Sequence, residues 1–302
     1  MRYVTLGKTG LEVSKIGFGG MPIGVRHHSR NFDPYTSEGR AHVIRVMHLA
    51  LDLGINYIDT APSYGTPGVP EEQGQSERMI GEALEGGRRE KVVLATKFGC
   101  GMEGPDVARN VEESLRRLRT DYVDVLQLHG GRYNPQLNDK ILNGGTLAAA
   151  EKLRDEGKVR FLGFTSEQAW SAIPLIESGR FDMCQVCHGL IYQHVAEEAM
   201  DAAHERGMYV AIMRPLASSR FHRILQAMEP RWLETRSDYD LCLKFLLSDS
   251  RVDVINVGMR FEDEVRHNVE LVNSFEPTMD IARETGGMWP AYQAEDRARG
   301  LI

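Results

Sequence analysis

Eight short runs of aliphatic and β-branched residues, each followed by a longer stretch with apolar residues at helical spacing, set the rhythm of this 302-residue sequence. Strands separated by amphipathic crossovers pair in parallel, and the helices then cover the sheet, so the pattern predicts a parallel sheet with helical crossovers. The runs are residues 15–18, 57–59, 92–97, 123–128, 159–165, 183–186, 209–213 and 252–257. Helical stretches are expected at 40–53, 75–84, 106–119, 145–155, 167–177, 195–206, 239–247 and 263–272. In the third of these, Val107, Val111, Leu115 and Leu118 fall on one face, with arginines and glutamates on the other. Open doubly wound sheets use five or six strands, whereas eight such units fit a closed (β/α)8 TIM barrel. Two further runs, 3–6 and 11–14, flank Gly7-Lys8-Thr9-Gly10 and predict an N-terminal β-hairpin. No linker or shift in composition divides the chain, so residues 1–302 read as one domain.

The longest connections, 20–37, 64–75, 130–143 and 214–237, all leave the carboxyl ends of strands, where barrel active sites lie. The tail 277–302, with Trp289 and Tyr292, is expected to cover that face.

A formal net charge of −7 gives no support to a nucleic-acid partner. The amino terminus lacks an apolar leader and no 18-residue apolar stretch occurs, so neither export nor a membrane span is expected. The expected location is the cytoplasm, where reduced thiols are the rule. Cys184 and Cys187 form a C-x-x-C, but within a run that reads as a buried strand and without a second pair to complete a zinc site, so no metal is expected. Oligomeric state is not legible.

Two nucleotide motifs fail on inspection. Gly17-Phe18-Gly19-Gly20 would need glycine at Pro22 to be a Rossmann fingerprint, and Gly7-Lys8-Thr9 would need glycine at Arg2 to be a P-loop. A dinucleotide would instead be held at the last βα junctions, where Gly258 lets backbone approach a phosphate and Arg260 offers a guanidinium.

Four polar residues interrupt the apolar strand ends. Asp59 closes the second run, Tyr64 follows it, Lys97 closes the third and His129 follows the fourth. Together they answer one chemical problem, the reduction of a carbonyl. Hydride arrival leaves charge on oxygen, which must be stabilised and protonated. Tyr64 is a suitable acid if the Lys97 ammonium lowers its pKa. Asp59 would keep Lys97 charged and aimed, and His129 would orient the carbonyl oxygen.

At these residues the chain resembles the aldo-keto reductase superfamily. The resemblance runs through Leu6-Gly7-Lys8-Thr9-Gly10-Leu11-Glu12-Val13-Ser14, Gly17-Phe18-Gly19-Gly20, Asn56-Tyr57-Ile58-Asp59-Thr60-Ala61-Pro62-Ser63-Tyr64-Gly65 and Ser76-Glu77. It continues in Ser114-Leu115-Arg116-Arg117-Leu118, Asp121-Tyr122-Val123-Asp124, His129 and Gly163-Phe164-Thr165-Ser166. It implies a (β/α)8 barrel binding NADP(H), or NAD(H), in extended form, with a catalytic tetrad of Asp59, Tyr64, Lys97 and His129. The implied cofactor contacts are Gly20, then Thr165, Ser166 and Gln185 at the carboxamide, Met213 at the nicotinamide, and Arg214, Pro215 and Leu216 in a segment similar to the family's S-P-L. Gly258, Met259, Arg260, Asp263, Glu264 and Asn268 correspond to the adenosine-phosphate segment. Ser166 stands where asparagine is usual, Met213 offers no aromatic face, and Glu264 sits where some members carry a base, which leaves Arg260 for the 2′-phosphate. The implied reaction is NAD(P)H-dependent reduction of an aldehyde, ketone or sugar to an alcohol. The alternatives are a slow-turnover nicotinamide-binding redox sensor and an NAD-dependent sugar or polyol dehydrogenase.

Overall fold

A strand in a parallel barrel is buried on both faces, so its side chains divide alternately between a packed interior and the layer beneath the helices. The computed structural model describes residues 1–27, 30–234 and 236–276. An antiparallel hairpin, β1 (Tyr3–Leu6) and β2 (Leu11–Ser14), precedes β3 (Ile16–Gly19), β4 (Tyr57–Asp59), β5 (Val93–Gly99) and β6 (Val123–His129). β7 (Val159–Ser166), β8 (Met183–Cys187), β9 (Tyr209–Met213) and β10 (Val254–Gly258) follow. Strands β3 to β10 pair in parallel in chain order, and β10 closes the barrel on β3. This is the expected (β/α)8 barrel with its N-terminal hairpin.

The helices are α1 (Ser37–Asp52), α2 (Gln75–Ala83), α3 (Gly104–Leu118), α4 (Pro135–Asn143), α5 (Thr146–Asp155) and α6 (Ile173–Glu177). They continue with α7 (Gln193–Glu205), α8 (Arg220–Met228), α9 (Pro230–Leu233), α10 (Asp238–Ser248) and α11 (Glu262–Ser274). In α3 the residues expected to face inward are buried: Val107, Val111, Leu115 and Leu118. Each such side chain contributes roughly 1.5–3 kcal/mol on leaving water, so a charge at Val111 would detach the helix.

Inside the barrel, Tyr57, Val93, Ala95, Val125, Met183, Tyr209, Ala211 and Val254 form an apolar layer. Leu6 and Val13 of the hairpin join it and seal the amino-terminal end. The seal is close. Lys8 N donates to Gly207 O at 2.9 Å, and a Cβ on Gly7 (φ +43°) would stand 2.5 Å from that same oxygen. With this end closed, polar interior residues are left to the opposite end, where the loops are long.

Three expectations need correction. Residues 167–177 do not form one helix. Ala169–Ala172 make a tighter turn and α6 begins at Ile173, because Pro174 lacks an N–H and its ring excludes a preceding helical turn. The connection 130–143 carries α4, capped by the Asn134 side chain accepting from Leu137 N at 2.8 Å with proline next in sequence. The connection 214–237 carries α8 and α9. The C-x-x-C lies in β8 as expected, and burial pushes its thiols up, to about 12 for Cys184 and about 11 for Cys187. The tail 277–302, with Trp289 and Tyr292, lies outside the described residues. Among the described residues no helix is long and apolar enough to cross a membrane.

Candidate active site

Strand alternation puts Asp59, Lys97 and Gln127 above the apolar layer, and the open end of the barrel collects them. Lys97 Nζ donates to both carboxylate oxygens of Asp59, at 2.8 and 2.7 Å, to Thr60 O at 2.7 Å and to the Tyr64 phenol oxygen at 3.1 Å. β5 runs on to Gly99, so Lys97 sits within the strand rather than at its end. Tyr64 leaves β4 through a turn closed by its N–H on Ala61 O at 3.1 Å, and Ser76 N, at the start of α2, takes its carbonyl at 3.0 Å. Ser76 Oγ also meets Thr60 Oγ1 at 2.8 Å and donates to Gly20 O at 2.8 Å, which ties the first turn of α2 to two strand ends. The connection after Tyr64 is held by Arg26, whose guanidinium meets Glu72 at 3.0 Å, Asp33 at 3.1 Å and Thr66 Oγ1 at 3.1 Å. His129 ends β6 with its ring 6.0 Å from that of Tyr64 and nearly perpendicular to it, at 83°.

Burial pushes the Tyr64 phenol up; Lys97 pulls it down, Asp59 pushes it up again, and Arg214 adds a further downward pull. The net direction is upward, against the expectation that Lys97 brings it toward neutrality. The physical reason is burial first, which penalises the phenolate more than Lys97 favours it; the Asp59 charge adds to the upward push, and the ammonium is itself shared, with Asp59 and Thr60 holding its shortest contacts. Burial also opposes the charge on Lys97, but Asp59 and Tyr64 outweigh it and hold the ammonium above its ordinary value. Burial and the Lys97 charge lower His129 to about 4, so its imidazole is neutral at pH 7.

Around these groups lies a cleft of about 480 Å³. Of the residues singled out in the sequence it is lined by Asp59, Tyr64, His129, Thr165, Gln185, Met213, Arg214, Pro215, Leu216, Gly258 and Arg260. Thr165 Oγ1 is engaged with Gly130, donating to its carbonyl at 2.7 Å and accepting from its N–H at 3.0 Å. Arg214 (φ +54°) reaches across the mouth to pair with Glu167. Gly258 is bare by necessity, since a Cβ there would lie 2.4 Å from Pro22 Cγ.

The other candidates stand back from the cleft. Gly20 donates its N–H to Asp59 O at 2.7 Å, and a Cβ on it would stand 2.7 Å from Ser76 Oγ. Ser166 is fully buried, with its hydroxyl on Gly131 O at 3.2 Å. Met259 is buried in the core and Asn268 is buried on α11. Glu264 turns back to accept from the N–H groups of Arg260, at 2.7 Å, and Phe261, at 3.2 Å, and also pairs with Arg30 at 3.4 Å. Arg260 spends its Nε on Pro22 O at 2.9 Å.

Three participants escaped the sequence reading. Gln127 Nε2 donates to Asp59 Oδ1 at 2.9 Å. Asn256 lines the cleft and donates from Nδ2 to Gln185 Oε1 at 3.2 Å. Glu167 lines it as the partner of Arg214. Gln127 and Asn256 are each a polar residue two places before a residue already singled out, His129 and Gly258. Period-two spacing within a strand was the available signal.

The cleft suits a nicotinamide dinucleotide by its donor set. Gln185 and Asn256 line the same cleft as Tyr64, among the described residues the buried Asn256 Oδ1 has no hydrogen-bond partner, and the guanidinium residues Arg214 and Arg260 line the cleft where an anionic ligand would need them.

A profile described as the Aldo/keto reductase family matches residues 15–283. The chain is 28% identical to L-galactose dehydrogenase of Arabidopsis thaliana over 93% of this chain and 90% of that protein. It superposes on a holo aldo-keto reductase of Bacillus halodurans with a TM-score of 0.74 and 27% identity, covering 94% of each chain. An aldo-keto reductase of Klebsiella pneumoniae in complex with NADPH shares the fold, with a TM-score of 0.74 and 23% identity over 93% of each chain.

Proposed function

The chain belongs to the aldo/keto reductase family, and from that premise we propose that it transfers a hydride between a nicotinamide dinucleotide and the carbonyl carbon of an aldehyde, ketone or sugar, with Tyr64 as the acid. The observation that carries the reading is the 3.1 Å contact between the Tyr64 phenol and a Lys97 ammonium clamped by Asp59, on the wall of the cleft.

The dinucleotide, when bound, supplies the hydride. As the carbonyl carbon takes it, the carbonyl oxygen takes the phenolic proton of Tyr64, leaving a phenolate beside the Lys97 charge. Solvent then restores the proton. The raised pKa keeps Tyr64 protonated before the reaction, and Lys97 stabilises the anion after it. His129, neutral above about pH 4, donates one N–H to the oxygen and orients it. Asp59 holds Lys97 charged.

Of the residues lining the cleft, Thr165, Gln185 and Met213 would hold the nicotinamide end, and Arg214, Pro215, Leu216, Gly258 and Arg260 the phosphates. Gly20, Ser166, Met259, Glu264 and Asn268 stand behind that lining and would support it rather than touch the cofactor. NADP(H) is the preferred cofactor. Arg260 lines the cleft, and the Glu264 carboxylate is already engaged by Arg30 and two backbone N–H groups, which blunts its repulsion of a 2′-phosphate. The NADPH in the Klebsiella structure points the same way. The similarity to L-galactose dehydrogenase favours a second reading in which the same site oxidises a sugar.

Fluorescence titration with NADPH and NADH, followed by turnover on a panel of aldehydes, ketones and sugars, tests the proposal. Tyr64→Phe should abolish turnover and leave cofactor binding largely intact; a variant that still turns over removes Tyr64 as the acid. Wild-type rates no faster than cofactor exchange favour a redox sensor instead.

A further inference from the structure

An ammonium carries three N–H bonds, yet Lys97 has four oxygens within 3.1 Å, and the Tyr64 phenol is the most distant of them. Anything that reduces the claim of Asp59 on the ammonium therefore releases an N–H toward the phenol. Gln127 is placed to do this. From β6 it donates Nε2 to Asp59 Oδ1 at 2.9 Å, and it is fully buried. Among the described residues its own Oε1 has no hydrogen-bond partner. A buried amide left half unsatisfied is a cost to the fold. An aliphatic side chain would fill such a place, as Val125 does two residues earlier in the same strand.

We propose that Gln127 is a positioning residue of the reaction: by fixing the Asp59 carboxylate and sharing its charge, it frees a Lys97 proton for Tyr64. The inference rests on the reading of Tyr64 as the acid. Four other groups face this centre. The phenols of Tyr57 and Tyr209 sense Asp59 from the apolar layer, and burial pushes both up, so they stay neutral. His129 is neutral above about pH 4, and Arg214 faces Tyr64 from the mouth. What remains to set the Tyr64 limb is the Lys97–Asp59 ion pair, which Gln127 reaches through its contact with Asp59 Oδ1.

The test uses the full chain with Gln127→Leu, Gln127→Glu and Tyr64→Phe. It measures kcat against pH in both directions, with NADPH affinity by fluorescence. For Gln127→Leu we expect affinity within about threefold of wild type. A hydrogen bond to a charged group is worth about one pK unit, so kcat should fall about tenfold and the Tyr64 limb should move up by about one pH unit. Gln127→Glu keeps a donor only while its carboxyl is protonated, so its activity should approach wild type at low pH and collapse as that group ionises beside Asp59. An unmoved limb, with a loss uniform in pH, would reduce Gln127 to packing and overturn the proposal. Should Gln127→Leu fail to fold, the profile of Gln127→Glu decides alone. Turnover retained by Tyr64→Phe would instead sink the acid assignment. A dead Tyr64→Phe beside an unmoved Gln127 limb sinks only the present inference.

Discussion

Lys97→Met separates what the buried ion pair does for the fold from what it does for the chemistry. The substitution leaves the Asp59 carboxylate in the barrel interior, 3% exposed, with the Gln127 amide as its remaining side-chain donor. Removing one partner of a buried pair costs about 3–5 kcal/mol, because the other charge is left uncompensated. The Tyr64 phenolate also loses a positive charge 3.1 Å away. At an effective dielectric near 20 that contact is worth about 5 kcal/mol as an upper bound, and Asp59 cancels part of it. A residual ~3–4 kcal/mol corresponds to a loss in kcat of about 10²–10³. Adding Asp59→Asn removes the stranded charge, so Lys97→Met/Asp59→Asn should recover most of the stability and none of the activity. Urea denaturation at pH 7 reads the first quantity and NADPH-dependent carbonyl reduction the second. The folded-state pKa of Lys97 is raised above 10.5, so its contribution to stability is complete below that value. It is lost only as pH rises through the folded pKa, and the stability difference should therefore be flat from pH 6 to 9. A double variant within tenfold of wild-type kcat would refute the electrostatic role given to Lys97. Equal instability of the single and double variants would refute the stranded-charge argument.

Arg260→Ala should weaken NADPH more than NADH in a fluorescence titration, and equal losses would remove Arg260 from recognition of the 2′-phosphate. Because His129 is lowered to about 4, its protonation should leave no limb in the rate of reduction between pH 5 and 8; a limb there that vanishes in His129→Gln would show an imidazole that titrates higher. Gly258→Ala places a Cβ 2.4 Å from Pro22 Cγ on the lining of the cleft, so it should raise the Kd for the dinucleotide at least tenfold and cost about 1–3 kcal/mol in denaturant titration. Gly7→Ala meets Gly207 O at 2.5 Å at the sealed end of the barrel, and should cost about 2 kcal/mol in denaturant titration with kcat unchanged.

The barrel was legible because its signal is periodic and local. Apolar runs such as 183–186 and 209–213 state their burial residue by residue, and α3 states its inward face through Val107, Val111, Leu115 and Leu118. That Asp59, Tyr64, Lys97 and His129 gather at one end of the barrel was legible because each breaks an apolar pattern near the carboxyl end of a strand, and in a parallel barrel those ends share one face. The start of α4 is also written in the sequence, in the cap-and-proline pair Asn134-Pro135, although its nine residues carry only a short apolar stripe. What the chain alone did not carry was the balance of charge in the site. Whether Tyr64 ends raised or lowered depends on its burial set against the pull of Lys97, and both depend on how β4, β5 and β6 come together. Burial and Coulomb forces act through space, so the upward shift of the phenol, the donor on Asp59 and the Glu167–Arg214 pair across the cleft were decided only when the barrel closed.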